Sequence, residues 1–396
     1  MLPDDRKLGN IFPIYKKGPK KIAENYRPIS LTSALCKMLE KLIRSHVMKH
    51  LVDNKLLSPR QYGFISGRST TTQLLYFIDK CINMISEGNV VDTIYFDFAK
   101  AFDSVPHKRL LHKLRSYGIG GNVFNWIKGF LLERKQYVSV ENVSSEMANV
   151  LSGVPQGTVL GPVLFIIYIN DLLDEINSEG VLFADDTKIF NCILNKEDAH
   201  KLQSDIDKLE NWSRTWLMNF HPDKCHVLTL GRFTDIKYTH RYKVCNKEIE
   251  HVFTEKDLGI NIDGELTFDD HICTKVRIAN ATVGLIRRSF SHLDGPTLKK
   301  LFSSLMRPHL DYGQCVWAPH LMKHIIMIER VQERATKLVN GYASMDYDER
   351  LKNLGLTTLR FRRLRGDLIE KYKHFNTHVK EAQTGPSFKP RQRPSR

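Results

Sequence analysis

Three carboxylates stand where an apolar strand would ordinarily carry none. Asp97 closes the run Ile94-Tyr95-Phe96, and Asp185 and Asp186 form the tip of a second β-rich segment, Val181 to Phe190. A charge in such a place is costly unless it binds something. Taken singly, each aspartate reads as a turn former or a cap. Delivered to one point by two strands, the three would make an oxygen-rich, hard site for two divalent cations such as Mg²⁺. Two such ions about 4 Å apart activate an attacking hydroxyl and stabilise a leaving pyrophosphate, which is what nucleotidyl transfer demands. Asp97 and Asp185 are 88 residues apart, so their convergence is an expectation about the fold.

The elements around them alternate. Ile11 to Tyr15 is strand-like and runs into the basic turn Lys16-Lys-Gly-Pro-Lys-Lys21. From Ser33 a helical spacing places Leu35, Leu39, Leu42, Ile43 and Val47 on one apolar face. A loop, Ser58 to Ser69, precedes a helix carrying Leu74, Leu75 and Ile78, and Val90 to Phe98 is the β-run that ends on the first carboxylate. Helix resumes at Leu110 to Leu114, and Gln136 to Val140 and Met147 to Val150 read as strands. Gly153-Val-Pro-Gln-Gly157 breaks both periods, and Val159 to Leu173 reads as a buried helix. Asn195 is the expected N-cap of a helix with apolar positions from Ala199 to Trp216, and Val227 to Leu230 is a strand. Past about Asn261 the β signal disappears. Helical spacing then dominates, with Gly341 the expected C-cap of a helix through Ile328 and Leu338.

Charge and composition narrow the partners. The 396 residues carry 59 Lys and Arg against 44 Asp and Glu, a formal net charge of +15. Residues 1–60 hold 13 basic and 5 acidic side chains and residues 351–396 hold 12 and 3, so the intervening 290 residues net −2. Attraction for a polyanion is therefore concentrated at two ends, and nucleic acid leads as the partner class. The longest apolar run, Val163 to Ile169, is far short of the roughly 20 residues a membrane span needs, and the opening residues show no apolar signal region, so no membrane role is expected. Seven cysteines with no CxxC pair argue against a disulfide framework and a zinc knuckle.

In their order and separation, Ile94-Tyr-Phe-Asp-Phe-Ala-Lys-Ala-Phe-Asp103, Ser152-Gly-Val-Pro-Gln-Gly157 and Phe183-Ala-Asp-Asp186 resemble the central motifs of reverse transcriptases. Asn25-Tyr-Arg-Pro-Ile-Ser-Leu31 and Gln61-Tyr-Gly-Phe-Ile-Ser-Gly-Arg-Ser-Thr70 resemble the fingers motifs of non-LTR (LINE-type, jockey-like) retrotransposon enzymes. Val316-Trp-Ala-Pro-His320 and Phe361-Arg-Arg-Leu-Arg-Gly-Asp-Leu-Ile369 resemble the downstream region of that family. The resemblance implies an α+β, right-handed polymerase: fingers and an antiparallel-sheet palm over 1–262, a helical thumb and C-terminal region over 263–383, and a disordered basic tail over 384–396.

It also implies an RNA-directed DNA polymerase that extends a primer 3′-hydroxyl with dNTPs on an RNA template. Asp97, Asp185 and Asp186 match the carboxylates that hold two Mg²⁺, with Mn²⁺ as an alternative. Phe102 matches the ring that closes under the nucleotide sugar and excludes a 2′-hydroxyl, and Gln156 and Gly157 match a loop against the incoming nucleotide and template base. Arg27 and Lys21 are candidates for gripping the triphosphate, with Lys16, Lys17 and Lys20 as alternatives to Lys21, and Arg68 is a candidate template contact. Lys224 matches a position from which a lysine protonates departing pyrophosphate. Asp103 is expected to cap the following helix rather than bind metal. Gly259 falls in the family's primer-grip turn, where Asp257 replaces the usual aromatic residue.

The partners implied are an RNA template, a DNA primer and dNTPs, with endonuclease activity supplied from elsewhere and action at genomic DNA in the nucleus. A reading from another class is a truncated, catalytically inactive retrotransposon relic that only binds nucleic acid. A third, an intron maturase or telomerase relative, matches the fingers and downstream segments less closely.

Overall fold

The computed structural model describes residues 7–141, 143–232 and 240–380, with side chains as far as 373, so the tail expected over 384–396 lies outside the described residues. In chain order the elements that bear on function are β1 (Leu8–Tyr15), β2 (Tyr26–Leu31), α1 (Ala34–Asp53), β3 (Val90–Phe96), α2 (Ala101–Ser104), β4 (Lys135–Val140), α3 (Gly161–Tyr168), β5 (Glu179–Phe183), β6 (Asp186–Ile193), α4 (Lys196–Trp216), β7 (His226–Leu230) and β8 (Glu250–Val252). The fold is α+β. The chain forms two compact units, one of residues 7–68, 92–227 and 240–251, the other of residues 69–91, 228–232 and 252–380.

In the first unit, β1 and β2 form an antiparallel hairpin that pairs Ile14 with Arg27, and β1 also lies parallel to β4. The lysine-rich turn between β1 and β2 bends at Gly18, whose φ of 87° a residue with a Cβ adopts only at a cost. A second sheet has the order β8-β7-β3-β6-β5, with β5 and β6 an antiparallel hairpin. Beneath it, α3 is buried at every position but Pro162, as an apolar-all-round sequence requires, and each of its large side chains contributes about 1.5–3 kcal/mol by leaving water.

Three local expectations are corrected. The helix expected over Val159 to Leu173 stops at Tyr168, because Asn170 turns away to accept from the Ser58 amide and donate to the Leu56 carbonyl, both at 2.8 Å. Ser33 does cap α1, but the face it turns inward carries Cys36, Glu40, Val47 and Leu51. Leu35 and Leu42, expected inside, are 60% and 59% exposed. The physical reason is Glu40: its carboxylate accepts from the Val159 and Leu160 amides (2.6 and 3.0 Å), which rotates the helix onto that stripe. The strand expected over Met147 to Val150 reduces to Ala148–Asn149, paired with β4.

In the second unit, Thr254–Asp257 and Ile260–Asp263 form a hairpin whose two-residue turn has positive φ at Leu258 (45°) and Gly259 (89°), the twist such turns favour. The Tyr312 hydroxyl donates to the Leu258 carbonyl (2.7 Å) and lies within hydrogen-bond distance of the Thr70 hydroxyl (3.0 Å). Its ring lies so close that a Cβ on Gly259 would sit 3.3 Å from it. The described residues after Asp263 contain helices and turns only, among them Asp269–Ser289, Met322–Thr336 and Leu359–Lys380. The second of these ends at Thr336 with Lys337 as its cap, so Gly341 belongs to a later turn and does not close it.

Candidate active site

Each acidic candidate is placed by a main-chain constraint. Asp97 is the first residue past β3, and the segment 219–224 is sewn to it: the His221 amide donates to the Asp97 carbonyl and the Ala99 amide to the Asn219 carbonyl, each at 2.8 Å. Phe98 stacks on Phe220 with ring centroids 4.6 Å apart, which anchors the same junction apolarly. Asp185 sits in the two-residue connection between β5 and β6, whose last register pair is Phe183 with Asp186. The connection is tight enough to hold Ala184 at φ 53°, a left-handed conformation that is costly for alanine.

Asp97 and Asp185 are brought together. Burial pushes the Asp185 carboxyl above its ordinary value, the Asp97 charge adds to that, and the Arg27 guanidinium and Lys16 ammonium pull it down. Asp97 already carries a counter-ion, since Lys224 Nζ is 3.2 Å from its Oδ2. Asp186 is exposed. Among the described residues, no group of three or more His, Cys, Asp or Glu side chains is gathered so as to hold a metal ion. The donor chemistry still fits one: Asp97 and Asp185 bring like charges to neighbouring strands, and Lys224, Arg27 and Lys16 offset the same negative charge that a divalent ion would neutralise.

The remaining candidates form the walls. Phe102, in α2, stacks on Phe165 (4.2 Å between centroids) and meets the edge of Phe64 at 6.3 Å, so the ring is held from two sides. The 153–157 loop is clamped: Gln156 Nε2 donates to Asp103 Oδ1 (2.9 Å), and the Ser30 amide donates to the Gln156 carbonyl (2.8 Å). Gly157 has φ 88°, and a Cβ there would fall 2.8 Å from Ile29 Cγ2. Asp103 is thus corrected from helix cap to acceptor for Gln156; the cap position of the following helix is Pro106, whose ring presents no acceptor.

Arg27 in β2 and Lys16 just past β1 are cations whose charge reaches Asp185, whereas Lys21 is exposed in the turn and makes no described ion pair. Arg68, the candidate template contact, donates from its guanidinium to the carbonyls of Ser58, Pro59 and Gln61 and so staples its own loop. A cavity of about 320 Å³ lies beside the clamped loop, bordered by Ser30, Asp103, Arg134, Asn149 and Gln156, but none of the three aspartates lines it.

Two residues escaped the sequence reading. Glu40 anchors the amides that lead into α3, and Gln61 Oε1 accepts from both the Gly63 amide (2.7 Å) and the Ala184 amide (2.9 Å) beside the carboxylates. Neither carries a local signal, because the partners of Glu40 lie 119 and 120 residues along the chain and Ala184 lies 123 residues from Gln61.

Residues 14–262 match the family model described as reverse transcriptase (RNA-dependent DNA polymerase). The chain is 28% identical over 357 residues to the RNA-directed DNA polymerase from mobile element jockey of Drosophila funebris, covering 86% of this chain and 38% of that protein. It is 27% identical over 352 residues to the probable RNA-directed DNA polymerase from transposon X-element of Drosophila melanogaster, with the same coverages, 86% and 38%. This chain therefore spans well under half the length of these curated relatives. Among solved structures, an apo telomerase from Candida tropicalis is similar at a TM-score of 0.47 and 12% identity, covering 67% of this chain and 55% of that one.

Proposed function

The chain belongs to the reverse transcriptase family, and on that premise we propose that it is an RNA-directed DNA polymerase of the non-LTR, jockey-like kind, extending a primer 3′-hydroxyl with dNTPs on an RNA template. The observation that carries the reading is the apposition of Asp97 and Asp185 at the ends of neighbouring strands, like charges held together beside Arg27 and Lys16. A binding module has no use for that arrangement. A divalent ion pair, Mg²⁺ or Mn²⁺, would supply hydroxyl activation and charge neutralisation at the transferred phosphate when held by Asp97, Asp185 and Asp186.

The protein's own groups do the rest. Arg27 and Lys16, with Lys21 from the same turn, meet the triphosphate as it enters beside Asp185. Phe102 cannot retreat from a 2′-hydroxyl because Phe165 backs its ring, which favours deoxynucleotides. Gln156 and Gly157 present an ordered main chain to the base pair. Lys224, whose Nζ lies 3.2 Å from Asp97 Oδ2, stands where its ammonium would protonate the departing pyrophosphate. The template, the primer and the nuclear site of action come to this proposal from the family, and endonuclease activity is expected from elsewhere.

Primer extension on an RNA template tests it. Asp185→Asn should lower the rate at least ~10³-fold while leaving template affinity within about twofold, since one metal ligand is lost and the basic surface is untouched. Extension by that variant at the wild-type rate would overturn the reading, and a wild-type chain that binds but never extends would favour the relic.

A further inference from the structure

We propose that Gln61 is a positioning residue for the catalytic carboxylates, acting by locking the turn that carries Asp185; the inference rests on the polymerase reading above. Gln61 is fully buried, and its neighbours Arg60 and Tyr62 bond to both sides of Leu182: the Leu182 amide donates to the Arg60 carbonyl (2.9 Å) and the Tyr62 amide to the Leu182 carbonyl (2.8 Å). The segment thereby adds to the β5 edge as a short parallel bridge between Gln61 and Leu182. With the backbone so pinned, the side chain reaches past the end of the strand, and its Oε1 accepts from the Ala184 amide at 2.9 Å.

Ala184 is the residue that needs holding. It has φ 53°, immediately precedes Asp185, and is 4% exposed, so its amide has no access to water as an alternative partner. A left-handed alanine persists only where its surroundings over-determine it. Gln61 supplies the hydrogen bond, and Gly63 supplies the space: a Cβ at residue 63 would fall 2.4 Å from the Ala184 nitrogen. The same Oε1 also accepts from the Gly63 amide (2.7 Å), so one oxygen fixes both partners of that close approach. Arg68, donating to the Ser58, Pro59 and Gln61 carbonyls, keeps the supporting loop from moving. Relaxation of Ala184 toward ordinary φ would swing Asp185 away from Asp97 without disturbing Phe102 or the 153–157 loop, neither of which touches Gln61 by a described hydrogen bond.

The test compares wild type, Gln61→Leu and the double variant Gln61→Leu/Ala184→Gly. Leucine keeps the volume and the main-chain bridge but removes the acceptor. Expected for Gln61→Leu are a kcat reduced ~30-fold or more, a dNTP KM within about twofold, Mn²⁺ affinity of the metal-titrated protein (by electron paramagnetic resonance) weakened about tenfold, and amide exchange at Ala184 accelerated at least tenfold. Because glycine adopts positive φ without strain, the double variant should regain about tenfold of the lost kcat, a recovery that a merely structural role for Gln61 would not produce. Unchanged exchange at Ala184, or a kcat loss that Ala184→Gly leaves untouched, would overturn the proposal. Exchange and Mn²⁺ binding are read without turnover, so an inactive wild-type chain would sink the polymerase reading and leave these two measurements to decide the role of Gln61. Should Gln61→Leu fail to fold, Gln61→Glu, which keeps the acceptor, is expected to fold and to retain slow exchange at Ala184, and fast exchange there would likewise refute it.

Discussion

Removing the Glu40 carboxylate should destabilise the first unit far more than its place in a lysine-rich helix suggests. The side chain is 0% exposed and accepts from two amides just before α3, Val159 at 2.6 Å and Leu160 at 3.0 Å. Alanine leaves both amides buried without a partner, at about 1–3 kcal/mol each, so Glu40→Ala should cost ~2–6 kcal/mol. Glutamine keeps one acceptor oxygen and about the same volume, so Glu40→Gln should cost about 1–2 kcal/mol. Urea unfolding followed by circular dichroism measures both. The effect should also reach chemistry, because Gln156 and Gly157 lie only a few residues upstream of those amides and a displacement near 1 Å in a positioning element costs on the order of 10²-fold. A Glu40→Ala protein within ~1 kcal/mol of wild type, or one that unfolds no earlier than Glu40→Gln, would refute the reasoning.

Gly157→Ala should lose about 1–2 kcal/mol by strain at φ 88° alone and slow primer extension further, because its Cβ would press on Ile29 Cγ2 at 2.8 Å and displace the loop; extension at the wild-type rate would contradict this. Asp185→Asn should raise the melting temperature in metal-free buffer at neutral pH. The folded-state carboxyl is raised above its unfolded value, so its contribution is present at low pH and lost as pH rises through the folded pKa, and the gain should vanish on acidification. Lys224→Met should lower kcat yet lower the Mg²⁺ concentration for half-maximal activity, since the ammonium 3.2 Å from Asp97 competes with the metal; a raised Mg²⁺ requirement would count against that competition. His271 is 1% exposed, accepts from the Asn261 amide at 3.1 Å, and is pushed down to about 4 by burial. The unfolded chain binds the proton first, so stability of the second unit should fall by up to ~3 kcal/mol as pH drops from about 6.5 to 4, and His271→Gln should flatten that fall in thermal unfolding.

What was legible in the sequence was whatever a residue announces through its immediate neighbours. Asp97 and the Asp185–Asp186 pair interrupt apolar runs, so their unusual placement shows without a fold. Asn195 precedes a periodic helix, and its side chain does accept from the Asp198 amide at 3.1 Å. Illegible residues are those whose partners lie far along the chain. Glu40 binds amides 119 residues away, and nothing in its own helix separates it from the surface glutamate it resembles. For the same reason Leu35 and Leu42 read as inward, since periodicity yields a face but not which face a distant carboxylate acceptor will select. Asp103 is a different case: it sits in a motif rich in functional residues, yet the geometry uses it to orient Gln156 rather than to cap a helix. Gln61 stands within a motif with nothing local to mark its role, because its target, Ala184, is 123 residues downstream.

The interleaving of the two units bears on how the chain is made. Residues 69–91 side with residues after 252, and the Thr70 hydroxyl finds the Tyr312 hydroxyl 242 residues later. During synthesis at roughly 5–20 residues per second, the helix Thr70–Ser86 must therefore wait on the order of ten seconds or more, its apolar stripe uncovered, before its partners leave the ribosome. The first unit closes earlier, once residue 251 has emerged. A ribosome stalled past that point should present a protease-resistant first unit together with a helix at 70–86 that is cut readily and is a target for chaperones.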